Sequence, residues 1–403
     1  MFLSTFIVDN LPFDIDLLPS DGYLVGGAVR DVLLNRTKKY LDLDFVLPHS
    51  VIKIAKNIAN LYHAGFVVLD SERNIARVVF PHATIDFAQQ EGDSIEKDLL
   101  RRDYTINAIA YNCQEKKLID PLNGQKDLKQ KIMRMILMKN LEDDPLRLLR
   151  GYRQACQLNF TIESETRKAI RELTPLLIKV APERINSEFT YLLESENGTY
   201  WLKEAFKDGL LSIYWQNLDE EKIKYLNKID FWIGWLRENF NDFKNINVEA
   251  YSSAKLACLT DNNIDIAQKE LVNLKYSRQE IKAVIIILKY TSRLLEEDFS
   301  TNLSSQYFFF LSVGKIFPNL AIFALAHDIS PNLITMLFER YLDNQDSVAH
   351  PQPLLTGKDL MESLKIPPSP LIKQLLIDVQ IAYIEGKFID KNGALQWIMN
   401  HRL

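Results

Sequence analysis

Short apolar runs alternate with helix-like stretches in the early part of this chain and then stop, and that break constrains the fold more than any other feature. Tyr23–Val25, Leu41–Val46, Gly65–Leu69, Ile75–Phe80, Thr84–Phe87 and Lys117–Ile119 read as strands, and Val51–Leu61 reads as a helix. VVLDSERNIARVVF predicts a hairpin with its polar tip at Ser71–Asn74. From about Leu141 onward, patterns of period ~3.6 take over. The expectation is an α+β protein: a mixed sheet with helices over residues 1–136, followed by all-helical segments. A weaker break at Asp343–Pro353 separates a last region. There Ser369 and Pro370 predict a helix start, with Leu371, Ile372, Leu375, Leu376, Val379 and Ala382 on one apolar face and Gly386 just past the end.

A chain of 403 residues that is 47% apolar can bury more than one core, roughly two to four domains' worth. The net charge of −5 excludes coating of nucleic acid by global charge, so any such contact is a local patch. Cys113, Cys156 and Cys258 form no CxxC pair, which fits a reducing compartment and offers no zinc site. The opening MFLSTFIVDNLPFD lacks a basic leader, and no apolar run reaches the ~18 residues of a membrane span. Ala283–Leu288 reads as a core helix segment, and the protein is expected to be cytoplasmic.

Three segments carry the chemistry. Gly26 and Gly27 end a strand and open AVRDVLL, where backbone N–H groups can approach phosphate and Arg30 and Asp31 lie in the first turns. An ordinary tight turn explains the glycines equally well. Asp42 and Asp44, two apart on a strand, share one face and can hold divalent metal. Asp86, with Ile85 and Phe87 turned the other way, is the candidate third carboxylate. A solvent-facing strand edge is the plain alternative for this common pattern. Arg101, Arg102 and Asp103 then precede TINAIAYN, read as a charged turn on a buried helix. The arginines can hold a triphosphate, while Asn107 is either a nucleotide contact or a polar core residue. In this order the set points to nucleotidyl transfer onto an acceptor hydroxyl.

A fourth segment, DDPLRLLRGYRQACQLNF, places Arg147, Arg150, Gln154 and Gln157 on one polar stripe. Leu148, Leu149, Tyr152, Ala155 and Cys156 form its buried side. Asp144 and Arg147, three apart, are neighbours that can accept from an exocyclic amine and donate to a ring nitrogen or carbonyl. That pairing selects cytosine and adenine over uracil and guanine. Asp144 before Pro145 is also a plausible helix cap. Gly124–Asn140 carries Lys126, Lys129, Lys131, Arg134 and Lys139 against Asp127 alone, a patch suited to RNA backbone or a solvated helix face. His327-Asp328 has no clustered histidine upstream and reads as structural.

These residues resemble the class II tRNA nucleotidyltransferases and bacterial poly(A) polymerases of the polymerase-β superfamily. Gly26-Gly27, Asp42-x-Asp44, Arg101-Arg102-Asp103, Asp120-Pro121-x-x-Gly124, Asp143-Asp144-x-x-Arg147 and Glu183-Arg184-Ile185 follow the family's order, with Asp143 where many members carry Glu. The tail segment LLTGKDLMESLKIPPSPLIKQLL also resembles the family, with Ser369-Pro370 and Lys373 where Gly-Pro and Gly are usual. The resemblance implies a polymerase-β-type catalytic head at 1–136, a helical neck at 137–200, a body at 201–345 and a tail at 346–403. It further implies Mg²⁺ on Asp42 and Asp44, to which the chemistry read from the residues adds a second ion and Asp86 as an assisting carboxylate. Gly26, Gly27, Arg30, Arg101, Arg102, Asp103, Asn107, Asp144, Arg147, Arg150 and Arg153 would surround the nucleotide. The expected partners are the acceptor arm and 3′ end of tRNA with CTP and/or ATP, not DNA and not a membrane. Poly(A) addition to general RNA ends and an inactive RNA-binding relative are the alternatives. A flexible segment between the aspartates and Arg-Arg-Asp helps separate the subclasses. Here it is compact around SERNIARVV, and the subclass stays open.

Overall fold

The computed structural model of the protein describes residues 11–36 and 40–401. It divides into two compact units: the chain up to Glu188 with Glu204–Ile213, and Phe189–Lys203 with the chain from Tyr214 onward. The architecture is α+β, a mixed sheet followed by helices.

In the first unit the strands are β1 (Tyr23–Val25), β2 (Leu41–Leu47), β3 (Gly65–Asp70), β4 (Ile75–Phe80), β5 (Ala83–Gln89), β6 (Ala110–Asn112) and β7 (Lys117–Ile119). They form one sheet in the order β3-β4-β5-β2-β1-β6-β7. Only β2 and β5 pair in parallel; the other neighbours are antiparallel. Helices α1 (Gly27–Leu33), α2 (Val51–Leu61) and α3 (Ile95–Leu100) lie between strands in the chain. Period-two alternation builds the layers. Leu43, Phe45 and Leu47 of β2 are buried on one face, where Phe45 stacks on Phe87 and Phe13 packs edge-on against both. Asp42 and Asp44 therefore emerge on the other face.

The buried helix expected after Arg-Arg-Asp is absent. Thr105–Asn107 is a single 3₁₀ turn, and the chain then enters β6, hydrogen-bonded to β1 and β7. Ile106, Ala108, Ile109 and Ala110 are buried all round, so their run carries no period that distinguishes strand from helix. Beyond β7 come α4 (Gly124–Gln130), β8 (Ile132–Met133), α5 (Met138–Asp143), α6 (Leu146–Leu158), β9 (Thr161–Ile162) and α7 (Ser164–Leu173). The division between units falls within α8 (Pro182–Glu194) and α9 (Gly198–Lys207).

The second unit is helical: α10 (Glu220–Asn239), α11 (Ser252–Leu259), α12 (Ile264–Asn273), α13 (Arg278–Thr291), α14 (Leu303–Val313), α15 (Phe317–Ala326), α16 (Pro331–Leu342), α17 (Gly357–Leu364), α18 (Pro370–Ile384) and α19 (Lys391–His401). Contrary to the sequence reading, Leu303–Ala326 is long and apolar enough to cross a membrane by length and composition. The chain turns at Gly314 (φ 50°) between α14 and α15, and Phe317 packs against Phe310 and Phe338, the environment of a core helix pair. His327 is stacked between Tyr225 and Phe323, each at 4.0 Å, with Nδ1 2.8 Å from the Phe323 carbonyl, a structural placement. The last helices share their own core of Leu360, Ile372, Leu375, Val379, Ala382 and Ile398. Leu371, expected on that face, is exposed, and the Ser369 hydroxyl makes no capping bond.

Candidate active site

The parallel pairing of β2 with β5 sets Asp44 directly beside Asp86. Asp86 does not enter as a free carboxylate. Arg77, opposite it on β4, donates to both oxygens at 2.7 and 2.8 Å. Protein atoms packed around Asp44 push its carboxyl up to about 6 although the residue keeps exposed surface; Arg102 opposes this, while Asp42 and Asp86 add to it. Two hard oxygen donors on one face, with like charges repelling, are the donor set a divalent cation relieves. Among the described residues no third His, Cys, Asp or Glu completes a three-ligand group, so water and substrate oxygens would fill the remaining positions.

The sign of the Asp44 shift gives a prediction. Its folded-state value lies above the ordinary 3.8, so the associated stability is complete below that value and is lost as pH rises through about 6. In metal-free protein, Asp44→Asn is expected to raise Tm at pH 8 by roughly 1–2 °C, a small effect because the carboxylate retains an open face. The gain should vanish near pH 4 and reverse relative to wild type when divalent ion is added. Thermal melts across that pH range check it.

Gly26 has φ 72° and ψ −135°, a conformation that L side chains avoid. A Cβ there would lie 3.2 Å from Arg102 Nη1 and 3.5 Å from Asp44 Oδ2. The glycine bend, an aspartate of β2 and an arginine of the Arg-Arg-Asp segment thus converge. Arg102 also contacts Asp98 at 3.2 Å, and Arg101 pairs with Glu91. Both arginines line a cavity of about 310 Å³ with Asp103, Asp144, Arg147 and Arg150. Val46, on the Asp42/Asp44 face of β2, lines it too, although the carboxylates themselves do not.

Three residues expected at the nucleotide face elsewhere. Arg30 is turned into the protein: Nη2 and Nε bond Asp31, and Nη1 donates to the Asn107 carbonyl oxygen at 2.8 Å. Asn107 is buried and donates to Asp103 and Gln154 at 2.9 and 2.8 Å, the polar core alternative. Arg153 pairs with Glu188 at 2.5 Å and Gln157 at 2.8 Å. Gln154, assigned to the polar stripe of α6, is likewise buried. The common reason is that charged and amide groups here satisfy one another in a buried network, which helical spacing alone cannot reveal. Burial by itself would raise Asp103, but Arg150, Asn107 and the Tyr104 N–H hold its carboxyl below the usual range.

Asp144 does not cap α6; its oxygens accept from Arg184 at 3.2 and 2.9 Å. Arg147 donates from Nη1 to the carbonyls of Arg101 and Asn140, both at 2.9 Å. Sequence reasoning missed Asn140, whose amide donates to the carbonyls of Leu100 and Arg102 at 2.8 and 2.7 Å. Asn140 on α5 and Arg147 on α6 thereby clamp the backbone of Leu100, Arg101 and Arg102 to both helices. Tyr104 adds a bond from its hydroxyl to the Arg147 carbonyl at 2.7 Å, in space left open because Gly151 has no Cβ. In the basic segment, Arg134 is neutralised by Asp127 and Glu163, and Lys139 by Glu142 and Asp143. Lys126, Lys129 and Lys131 remain as an exposed group.

The chain matches family models for the poly A polymerase head domain over residues 22–134, the RNA- and SrmB-binding site of polymerase A over 159–221, and tRNA nucleotidyltransferase domain 2 over 246–398. It is 48% identical over 397 residues to the CC-adding tRNA nucleotidyltransferase of Synechocystis sp., spanning 96% of this chain and 95% of that protein. To the CC-adding tRNA nucleotidyltransferase of Geobacter sulfurreducens it is 39% identical over 198 residues, 48% of this chain and 46% of that one. The solved Thermotoga maritima CCA-adding enzyme complexed with tRNA has the same fold, with a TM-score of 0.72 at 23% identity over 94% of this chain and 90% of that one. By full-length similarity, this chain belongs to the tRNA nucleotidyltransferase family built on the poly A polymerase head domain.

Proposed function

We propose that this protein extends the 3′ end of tRNA with cytidines from CTP, without a nucleic-acid template, releasing pyrophosphate. The observation that carries the reading is the convergence of Gly26, Asp44 and Arg102 beside a cavity lined by Asp144 and Arg147. Divalent ions on Asp42 and Asp44, two Mg²⁺ in this reading, would supply charge neutralisation at the triphosphate and activation of the acceptor hydroxyl. The chain's own groups do the rest. The Gly26-Gly27 backbone lets phosphate oxygens approach closely, and Arg101 and Arg102 balance their charge. Asp144 accepts from the exocyclic amine of the base while Arg147, held by two backbone carbonyls, donates to the ring edge. Asp86 stays countered by Arg77. Residues 1–136 serve as catalytic head, 137–200 as neck, 201–345 as body and 346–403 as tail gripping the acceptor arm, in a cytoplasmic enzyme.

Cytidine addition, rather than the whole CCA, is favoured by two things. The relative at 48% identity over the full chain is CC-adding, and β3 and β4 are joined by a tip of only Ser71–Asn74, so that among the described residues the stretch from Asp44 to Arg101 holds no long segment outside helix and strand. The test uses three tRNA transcripts, ending before CCA, after C and after CC, each with single nucleotides. The expected products are two, one and no added cytidines with CTP, and no extension of the CC-ending transcript with ATP. Addition of one adenosine there would establish CCA addition instead. A long tail from ATP on unstructured RNA would establish the poly(A) reading.

A further inference from the structure

We infer that Arg184 is a specificity-positioning residue, whose guanidinium sets the plane of the Asp144 carboxylate for reading the base. This rests on the assignment of Asp144 as the base reader. Asp144 sits in extended backbone (φ −134°, ψ 91°) between α5 and α6. Its side chain makes no capping bond, so nothing local to the chain orients it. Arg184 supplies the missing constraint by donating from Nη1 to one oxygen and Nη2 to the other. Such a fork fixes both the position and the rotation of a carboxylate, which a point charge cannot do. The carboxylate retains about two of its four acceptor sites for a base amine.

Among the described residues, the hydrogen bonds of the Arg184 guanidinium go to Asp144. Glu188, one helical turn on and therefore its neighbour on α8, is taken by Arg153 at 2.5 Å. Arg184 is half exposed and lines the same open groove as Asp144 and Arg147. A half-exposed ion pair contributes little to folding, so its geometry, rather than stability, is what it offers the site.

The test measures incorporation of CTP and UTP on a tRNA transcript lacking CCA, as kcat and KM separately, with tRNA affinity followed by filter binding. Arg184→Ala is expected to reduce the CTP-over-UTP ratio of kcat/KM about tenfold. The loss should fall mainly on KM for CTP, with tRNA affinity unchanged. Arg184→Lys keeps the charge but loses the fork, and should recover little of the ratio. Asp144→Asn separates the two ideas, because an amide can donate to the uracil carbonyl as well as accept, and should move the ratio towards UTP. If Asp144→Asn shifts the ratio while Arg184→Ala leaves it at the wild-type value, or Arg184→Lys restores it fully, the role given to Arg184 is wrong. If Asp144→Asn leaves the ratio unmoved, the base-reading assignment itself fails, and the role of Arg184 with it.

Discussion

Asp42→Asn is expected to lower nucleotide incorporation by about a thousandfold or more while leaving tRNA affinity intact. The reasoning is electrostatic. Asp42 shares a strand face with Asp44, and asparagine keeps the shape of the side chain while removing half of the negative charge available to a divalent ion. Metal stabilisation of a phosphoryl transition state is worth several kcal/mol, and losing ~4 kcal/mol is about a thousandfold in rate. Single-turnover extension of a transcript lacking CCA measures the loss, and filter binding measures tRNA affinity. Near-normal incorporation by this variant would remove Asp42 from the chemistry. A parallel loss of tRNA binding would mean that the substitution acts through the fold.

The second large effect is on stability. Gly124→Ala places a Cβ 2.3 Å from the Thr105 carbonyl oxygen and 2.8 Å from Ile109 Cγ1. The backbone cannot slide away easily. Asp120 accepts from the Gly124 and Gln125 N–H groups at 2.6 and 3.0 Å, and the Thr105 hydroxyl is tied to Asp127 at 2.7 Å. Overpacking against backbone costs about 3 kcal/mol, expected as a fall of roughly 5–10 °C in the first thermal transition. Because Thr105 follows Arg101-Arg102-Asp103, incorporation should decline as well. A transition within about 1 °C of wild type would show that α4 can retreat from Thr105 at little cost.

Both variants touch motifs that are legible in the amino-acid sequence. Asp42 and Asp44 are readable because a strand has a side-chain period of two, so a spacing of two gives a shared face. Asp120-Pro121-x-x-Gly124 is visible as a pattern but not as a mechanism. Its aspartate caps α4 and its glycine admits the Thr105 carbonyl. Residues that act on groups distant in the chain are less legible. Arg30 and Arg153 have the composition of phosphate ligands, yet one completes a buried network with Asn107 and the other neutralises Glu188. Asn140 carries no local signal, since an asparagine bridging two carbonyls resembles any other asparagine on a helix, and Glu183-Arg184-Ile185 is visible as a pattern without showing that Arg184 meets Asp144.

Strands β1 to β5, the shared face of the paired aspartates and the break between sheet and helices follow from local periodicity, which a single segment carries within itself. Tertiary structure decided which carboxylates stand free and which are already matched to arginines, and that TINAIA becomes a 3₁₀ turn leading into β6 rather than a helix. Those outcomes depend on partners brought close by folding from far along the chain. Electrostatic pairing and hydrogen-bond satisfaction are properties of the assembled neighbourhood rather than of the residue.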